Sequence, residues 1–342
     1  MFENFWGNRH VALALERMIA GGRITQTLLF SGPEGVGKAT LARRFAARLL
    51  NRPELIERDD LSLPEHVSAL ALREKLLAEK RNEDPLMFAS HPDFVTFPPD
   101  GPLRQLSIPQ MRMLKERASF QPLRGNRRVF LIDHIDRAGE QAANSLLKIL
   151  EEPPAHLILI LTAENAYDLL PTIRSRAVMF QFAPLSNEDM RAFAAARGLT
   201  DVDRRMALSA GSPGIALSLD LAVHEKRRSA MHVLLKVAAG ASPFGAWLPF
   251  SVSIARSKSE KLELYLRLLY DLLRDLMILR ETGGEIRNQD LRLELTALAG
   301  RVTTPWIARG VKKVDELADL LRRNIQKTIA LDGLILDLRG YR

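Results

Sequence analysis

The sequence predicts a parallel α/β domain of the P-loop NTPase class followed by an all-helical region. Three observations predict it. Short β-rich apolar runs alternate with helical periodicity up to about residue 182, a glycine-rich loop ending in lysine stands between the first run and a helix, and β patterning stops after Pro184.

The strand candidates are residues 28–30, 94–97, 129–132, 157–161 and 178–182, each bounded by Gly, Pro, Asp or Ser, and together they predict a five-stranded parallel sheet. Between the first two, Leu41, Phe45 and Leu49 with Ala42, Ala46 and Leu50 give one helical face. Ala142, Leu146, Leu147 and Leu150 give another, which Pro153 and Pro154 stop. Residues 51–92 read as charged and partly helical around Glu74 to Lys80. Beyond Pro184, Leu262, Leu266, Leu269, Leu273 and Leu276 repeat at three and four, with Glu263/Arg267 and Arg267/Asp271 as i,i+4 pairs. Thr304 before Pro305 reads as a capped helix start, and an apolar-periodic segment runs from there to Leu338. The composition shift at Pro184 and a break near residues 219–226 divide the chain into expected domains 1–183, 184–222 and 223–342.

With 46% hydrophobic and 26% charged residues over a length of 342, the chain is globular, not disordered or fibrous. It has no cysteine, which excludes a disulfide framework, a thiolate zinc site and a cysteine nucleophile. Apolar runs such as residues 157–161 are far shorter than the roughly 20 residues of a membrane span, and the N-terminus carries no apolar leader. A cytoplasmic location without a membrane partner is expected. A net charge of +8 is modest, and with 6% aromatic residues and no stacking motif, base-specific recognition by this chain is not expected.

The sharpest motif is Gly32-Pro-Glu-Gly35-Val-Gly37-Lys38-Ala39-Thr40. Such glycines let backbone N–H groups wrap a polyphosphate at a helix N-terminus, and Lys38 would reach its terminal phosphates. The competing reading is an ordinary glycine-rich turn. The hydroxyl that ligates magnesium is missing, because Ala39 follows the lysine and Thr40 lies about 100° further round the helix. The run Val129-Phe-Leu-Ile-Asp133-His134-Ile-Asp136 is an apolar strand ending in acid, so Asp133 could hold magnesium through water. His134 occupies the place of a water-orienting glutamate and reads as a polar strand end. Magnesium is therefore doubtful, and no metal ligand is assigned.

Further motifs bring a family into view. Asn144-Ser-Leu-Leu-Lys-Ile-Leu-Glu-Glu-Pro-Pro154, the strand ending at Thr162, Ile173-Arg-Ser-Arg176, and Phe5-Trp-Gly-Asn with the later Phe30-Ser-Gly-Pro closely resemble the clamp-loader AAA+ subunits of bacterial DNA polymerase III. The resemblance covers about residues 2–216 and continues more weakly beyond. It implies an AAA+ domain, a small helical lid domain and a C-terminal helical collar. It also implies a hetero-oligomer with gamma/tau and delta subunits, acting on a sliding clamp and, through the complex, on primed DNA.

Within that family, Ala39, His134 and the Gly211-Ser-Pro-Gly214 stretch, where an active subunit carries its sensor 2 arginine, favour the non-hydrolysing delta prime branch. ATP or ADP at a degenerate P-loop (Gly32, Gly35, Gly37, Lys38, Ala39, Thr40, with Asp133 and Thr162) remains compatible with it. The family's zinc module has no cysteines here, so no zinc is expected. By resemblance Thr162 is sensor 1; as a residue it is equally a β-branched strand former. The family's Ser-Arg-Cys motif appears as Ser175-Arg176-Ala177, making Arg176 an arginine finger for a neighbour's ATP rather than an ordinary salt-bridge residue. Arg174 reads as structural, as do Asn144, Lys148, Glu151 and Glu152. Arg124, Arg127 and Arg128 form a basic cluster that either touches a phosphate backbone or is a solvated loop. The alternatives are an active AAA+ ATPase of the gamma/tau kind and, from the enzyme classes, a small-molecule P-loop kinase.

Overall fold

The computed structural model describes residues 2, 4–256, 262–320 and 326–340. The chain divides into two compact units, Met1–Ser218 and Leu219–Arg342.

In the first unit the elements run α1 (Arg9–Ala20), β1 (Thr27–Ser31), α2 (Lys38–Leu50), α3 (Pro53–Ile56), α4 (Pro64–Arg73), α5 (Ala78–Glu83), β2 (Phe88–His91), β3 (Phe94–Phe97), α6 (Ile108–Ala118), β4 (Arg128–Ile132), α7 (Glu140–Glu151), β5 (Leu157–Ala163), α8 (Pro171–Arg174), β6 (Val178–Gln181), α9 (Asn187–Ala196), α10 (Val202–Ser209) and α11 (Pro213–Ser218). The sheet order is β2-β3-β4-β5-β1-β6. All pairs are parallel except β2 with β3. Alternate residues of the strands feed two layers, because side chains in a strand alternate between faces. Leu29, Val95, Phe130, Ile132, Leu159 and Leu161 pack with residues of α6 and α7, whereas Leu28, Phe30, Val129, Leu131, Ile158 and Ile160 pack with α1 and α2. This is the α/β arrangement expected from sequence, with loop-bearing β1 between β5 and β6.

The structure corrects the expected five-stranded parallel sheet to six strands. β2 was missed because Phe-Ala-Ser-His has no apolar alternation, and only His91 at its end is buried. The segment before it holds α4 and α5, but Glu74 to Leu77 form the turn between them rather than a helix. Arg73 organises this turn: it donates to Asp100 at 2.8–3.0 Å and to the Asp84 carbonyl at 2.6 Å.

The second unit is helical: α12 (Leu221–Ala238), α13 (Leu248–Arg256), α14 (Leu262–Glu281), α15 (Arg292–Ala299), α16 (Thr304–Leu320) and α17 (Lys327–Arg339). The leucines at 262, 266, 269, 273 and 276 are all buried, as their spacing predicts. Glu263 pairs with Arg267 at 3.0 Å, while Asp271 is held by Arg287. Asp275 is fully buried among the leucines and accepts from the backbone N–H groups of Arg287 and Asn288 at 3.1 and 2.9 Å. The cap of α16 is one residue earlier than expected: the Thr303 hydroxyl accepts from Trp306 N–H at 3.3 Å, and Thr304 bonds Glu281 instead. The single segment expected from 304 to 338 is two helices, with residues 321–325 outside the described residues. The Trp306 indole donates to the Leu338 carbonyl at 3.0 Å and so ties α16 to α17. Replacing the fully buried Leu269 by alanine is expected to cost about 2–5 kcal/mol, read as a lower urea midpoint for the second unit. Among the described residues no helix is long and apolar enough to cross a membrane.

Candidate functional site

β1 is buried along its whole length and delivers the chain into the glycine loop, with Gly32 N–H donating to the Ala163 carbonyl at 3.2 Å. Gly32 has φ 151°, and a Cβ there would lie 2.3 Å from the carbonyl oxygen of Phe182, so only glycine fits against β6's exit. α2 begins at Lys38. The Lys38 side chain is buried and turned back onto the loop, donating to the Gly32 carbonyl at 2.6 Å and to the Pro33 carbonyl at 2.8 Å. Burial pushes its ammonium below the ordinary lysine range, and the carboxylates of Asp133, Glu164, Asp136 and Glu34 oppose that shift.

The next two carbonyls of the loop are also taken, by the chain just before and at the start of α11. The Ser212 hydroxyl donates to the Glu34 carbonyl at 2.8 Å, and Gly214 N–H donates to the Gly35 carbonyl at 2.9 Å. The backbones meet directly: a Cβ on Gly214 would come within 3.1 Å of Gly35 Cα. A side chain at Gly214 would therefore press on the Gly35 backbone. On the other side of the loop the Phe5 ring lies against Gly37, where a Cβ would approach it to 3.0 Å. Asn8 pins this N-terminal segment, exchanging two hydrogen bonds with the backbone of Ala183 at 2.8 and 3.0 Å. The sequence patterns assign Phe5, Asn8 and Ser212 no role of their own, although all three lie within quoted motifs, Phe5-Trp-Gly-Asn8 and Gly211-Ser-Pro-Gly214.

Across from the loop, Asp133 follows the last residue of β4. Its carboxylate accepts from the buried Thr162 hydroxyl at 2.6 Å, and that hydroxyl accepts from His134 N–H at 2.9 Å. The carboxylate expected to hold magnesium through water and the hydroxyl expected to read a phosphate are thus bonded to each other. His134 has φ 52°, and its Nδ1 stands 3.9 Å from both Asp136 and Glu164 without a hydrogen bond. Among the described residues these three form one group with metal-ligand spacing, which the sequence did not single out. Ala39 packs on the apolar layer beneath α2 and offers no oxygen. At position 39 the phosphate loop thus offers magnesium no side-chain oxygen. One oxygen of the Asp133 carboxylate is engaged by Thr162, and His134 follows Asp133 in the chain.

The structure brings Gly32, Gly35, Gly37, Lys38, Asp133 and Thr162 to one end of the sheet, with Ala39 and Thr40 in the first turn of α2. Arg176 belongs to another place. α8 is a single turn, closed by Ser175 N–H on the Pro171 carbonyl at 3.0 Å. The Arg176 guanidinium donates to the Thr172 carbonyl at 2.9 Å, to Ser175 Oγ at 3.3 Å and to Glu151 at 2.8 Å. Arg174 stacks over the exposed Tyr167 ring at 5.1 Å. The basic cluster is smaller than expected, because Arg128 is buried and bonds the carbonyls of Arg117 and Phe120 at 2.5 and 3.2 Å. Buried Asp93 shapes that loop by accepting from Leu123 and Arg124 N–H at 2.8 and 2.6 Å, leaving Arg124 outside.

With this geometry in hand, comparison with known proteins gives a family. The family described as DNA polymerase III, delta subunit, matches residues 7–186. The chain belongs to that family. It is 33% identical over 194 residues to a DNA polymerase III subunit gamma/tau of Mycobacterium tuberculosis, covering 57% of this chain and 30% of that protein. It is 32% identical over 235 residues to the DNA polymerase III subunit delta' of Pseudomonas aeruginosa, covering 65% of this chain and 66% of that one. The chain thus spans about a third of the gamma/tau relatives and two thirds of the delta' relative. A solved gamma subunit-related protein of Thermotoga maritima aligns at 17% identity with a TM-score of 0.41, over 95% of this chain and 98% of that one.

Proposed function

We propose that this family member is a delta prime-type subunit of the DNA polymerase III clamp loader, one that does not hydrolyse ATP and lends Arg176 to a neighbouring subunit's ATP. In this reading residues 184–222 act as the lid domain and residues 223–342 as the collar. The chain joins gamma/tau and delta subunits in a cytoplasmic hetero-oligomer that opens the sliding clamp and sets it on primed DNA.

The observation that carries the reading is Lys38 turned back onto its own loop, beside an alanine at position 39 where a hydroxyl would ligate magnesium. Four successive carbonyls, from Gly32 to Gly35, accept from Lys38, Ser212 and Gly214 of the same chain. For Lys38 to reach a polyphosphate, its ammonium would have to leave two short bonds to the loop's own carbonyls. ATP or ADP would bind here only after that rearrangement, as a structural ligand. Arg176, by contrast, is a third exposed, its guanidinium held at the surface by Thr172, Ser175 and Glu151. A permanently charged fork at the surface can stabilise the charge that develops on a phosphoryl group leaving the neighbour's ADP for water.

The gamma/tau reading draws on a gamma/tau relative matching as well as the delta' one. Ala39 and the Gly214 contact weigh against it. Assembly tests the proposal directly. Mixed with gamma/tau and delta subunits of the same organism, the chain is expected to co-elute with both as one hetero-oligomer on size exclusion. A chain that stays alone, or closes into a ring of its own copies, contradicts the proposal.

A further inference from the structure

Resting on that reading of Arg176, we infer that Glu151 is its positioning residue, holding the guanidinium in the plane from which it serves the neighbour's phosphate. Glu151 is the last residue of α7, where the chain leaves the helix toward Pro153 and Pro154. A carboxylate there faces the negative end of the helix dipole, an unfavourable place for an anion unless a cation stands beside it. The cation is Arg176, at 2.8 Å. The pair is open to solvent, with side chains 33% and 50% exposed, so it adds little to stability and its presence calls for another reason.

That reason is in the donor geometry. Arg176 is anchored at two points on two elements: Nη1 on the Thr172 carbonyl of α8 at 2.9 Å, with Ser175 Oγ at 3.3 Å, and Nη2 on Glu151 Oε1 of α7 at 2.8 Å. One anchor would let the fork swing about its bond, whereas two fix its plane. A guanidinium has five N–H groups. These contacts engage three, leaving one on Nε and one on Nη2, adjacent nitrogens that can take two phosphate oxygens together. Ordering a long side chain before the partner docks removes an entropic cost from the reacting complex. The carboxylate thus acts on the reaction only through Arg176.

The test uses the reconstituted loader with clamp and primed DNA, comparing wild type, Glu151→Ala, Glu151→Gln and Arg176→Ala by kcat and KM for ATP, with assembly checked by size exclusion. Glu151→Ala is expected to lower kcat about fivefold and leave KM within about twofold, since orientation rather than binding is lost. Glu151→Gln keeps an oxygen that accepts from Nη2 and is expected to restore kcat to within about twofold of wild type. A Glu151→Ala loader with wild-type or higher kcat, beside an Arg176→Ala loader that has lost turnover, overturns the positioning role and leaves the arginine finger intact. A fall in both Glu151 variants accompanied by failed assembly assigns Glu151 a structural role and likewise overturns it. Unchanged turnover in Arg176→Ala overturns the reading of Arg176 itself.

Discussion

Arg176→Ala is expected to lower clamp- and DNA-stimulated ATP turnover of the reconstituted loader at least tenfold, with the complex still assembled. An arginine supplied across an interface is worth roughly a thousandfold or more at its own site; turnover at other sites of the loader dilutes the observed loss. The side chain is a third exposed, and its partners are one backbone carbonyl, one hydroxyl and one half-exposed carboxylate, so its removal leaves no buried charge behind. Stability should therefore be near wild type while turnover falls. Arg176→Lys is not expected to rescue, because an ammonium cannot hold Thr172 and Glu151 and still offer a two-pronged edge to phosphate. Steady-state phosphate release from matched assemblies checks both variants, and equal rates would remove Arg176 from the mechanism.

The second large effect is expected at Gly32, through structure rather than chemistry. Gly32→Ala places a methyl 2.3 Å from the Phe182 carbonyl oxygen at a φ of 151°. Neither neighbour can yield: Phe182 N–H donates to the Ser31 carbonyl at 2.7 Å and holds the two backbones together. Backbone strain and overpacking together amount to about 3 kcal/mol or more. That corresponds to a melting temperature lower by about 6–12 °C for a unit of this size. Differential scanning calorimetry of the full chain checks it. A variant melting like wild type would mean that β6 is not locked against the loop.

Much of the architecture was legible because it depends on local pattern. Leu28-Leu-Phe30 before a glycine loop, a helix opening at Lys38 and leucines at three and four in α14 each follow from neighbours in sequence. What escaped depends on distant partners. The bond from Ser212 to Glu34 spans 178 positions and that from Asn8 to Ala183 spans 175, and no window along the chain brings those residues together. β2 escaped because its two middle residues face solvent, and Arg128 read as surface because its buried partners are carbonyls, which any residue carries. The substitutions at Ala39 and His134 were visible as residues, but not the bond that ties Asp133 to Thr162. Glu151 was visible too; its partner lies 25 residues away.

On the proposed function, ATP is consumed by a neighbouring subunit and not on this chain. The most direct measurement is phosphate release by the purified chain with saturating magnesium ATP, with and without primed DNA. A rate indistinguishable from buffer is predicted, because Lys38 is turned onto the Gly32 and Pro33 carbonyls and the magnesium hydroxyl is replaced by Ala39. Saturable turnover that disappears in Lys38→Ala would contradict the account, since it would place a working active site in the loop between β1 and α2.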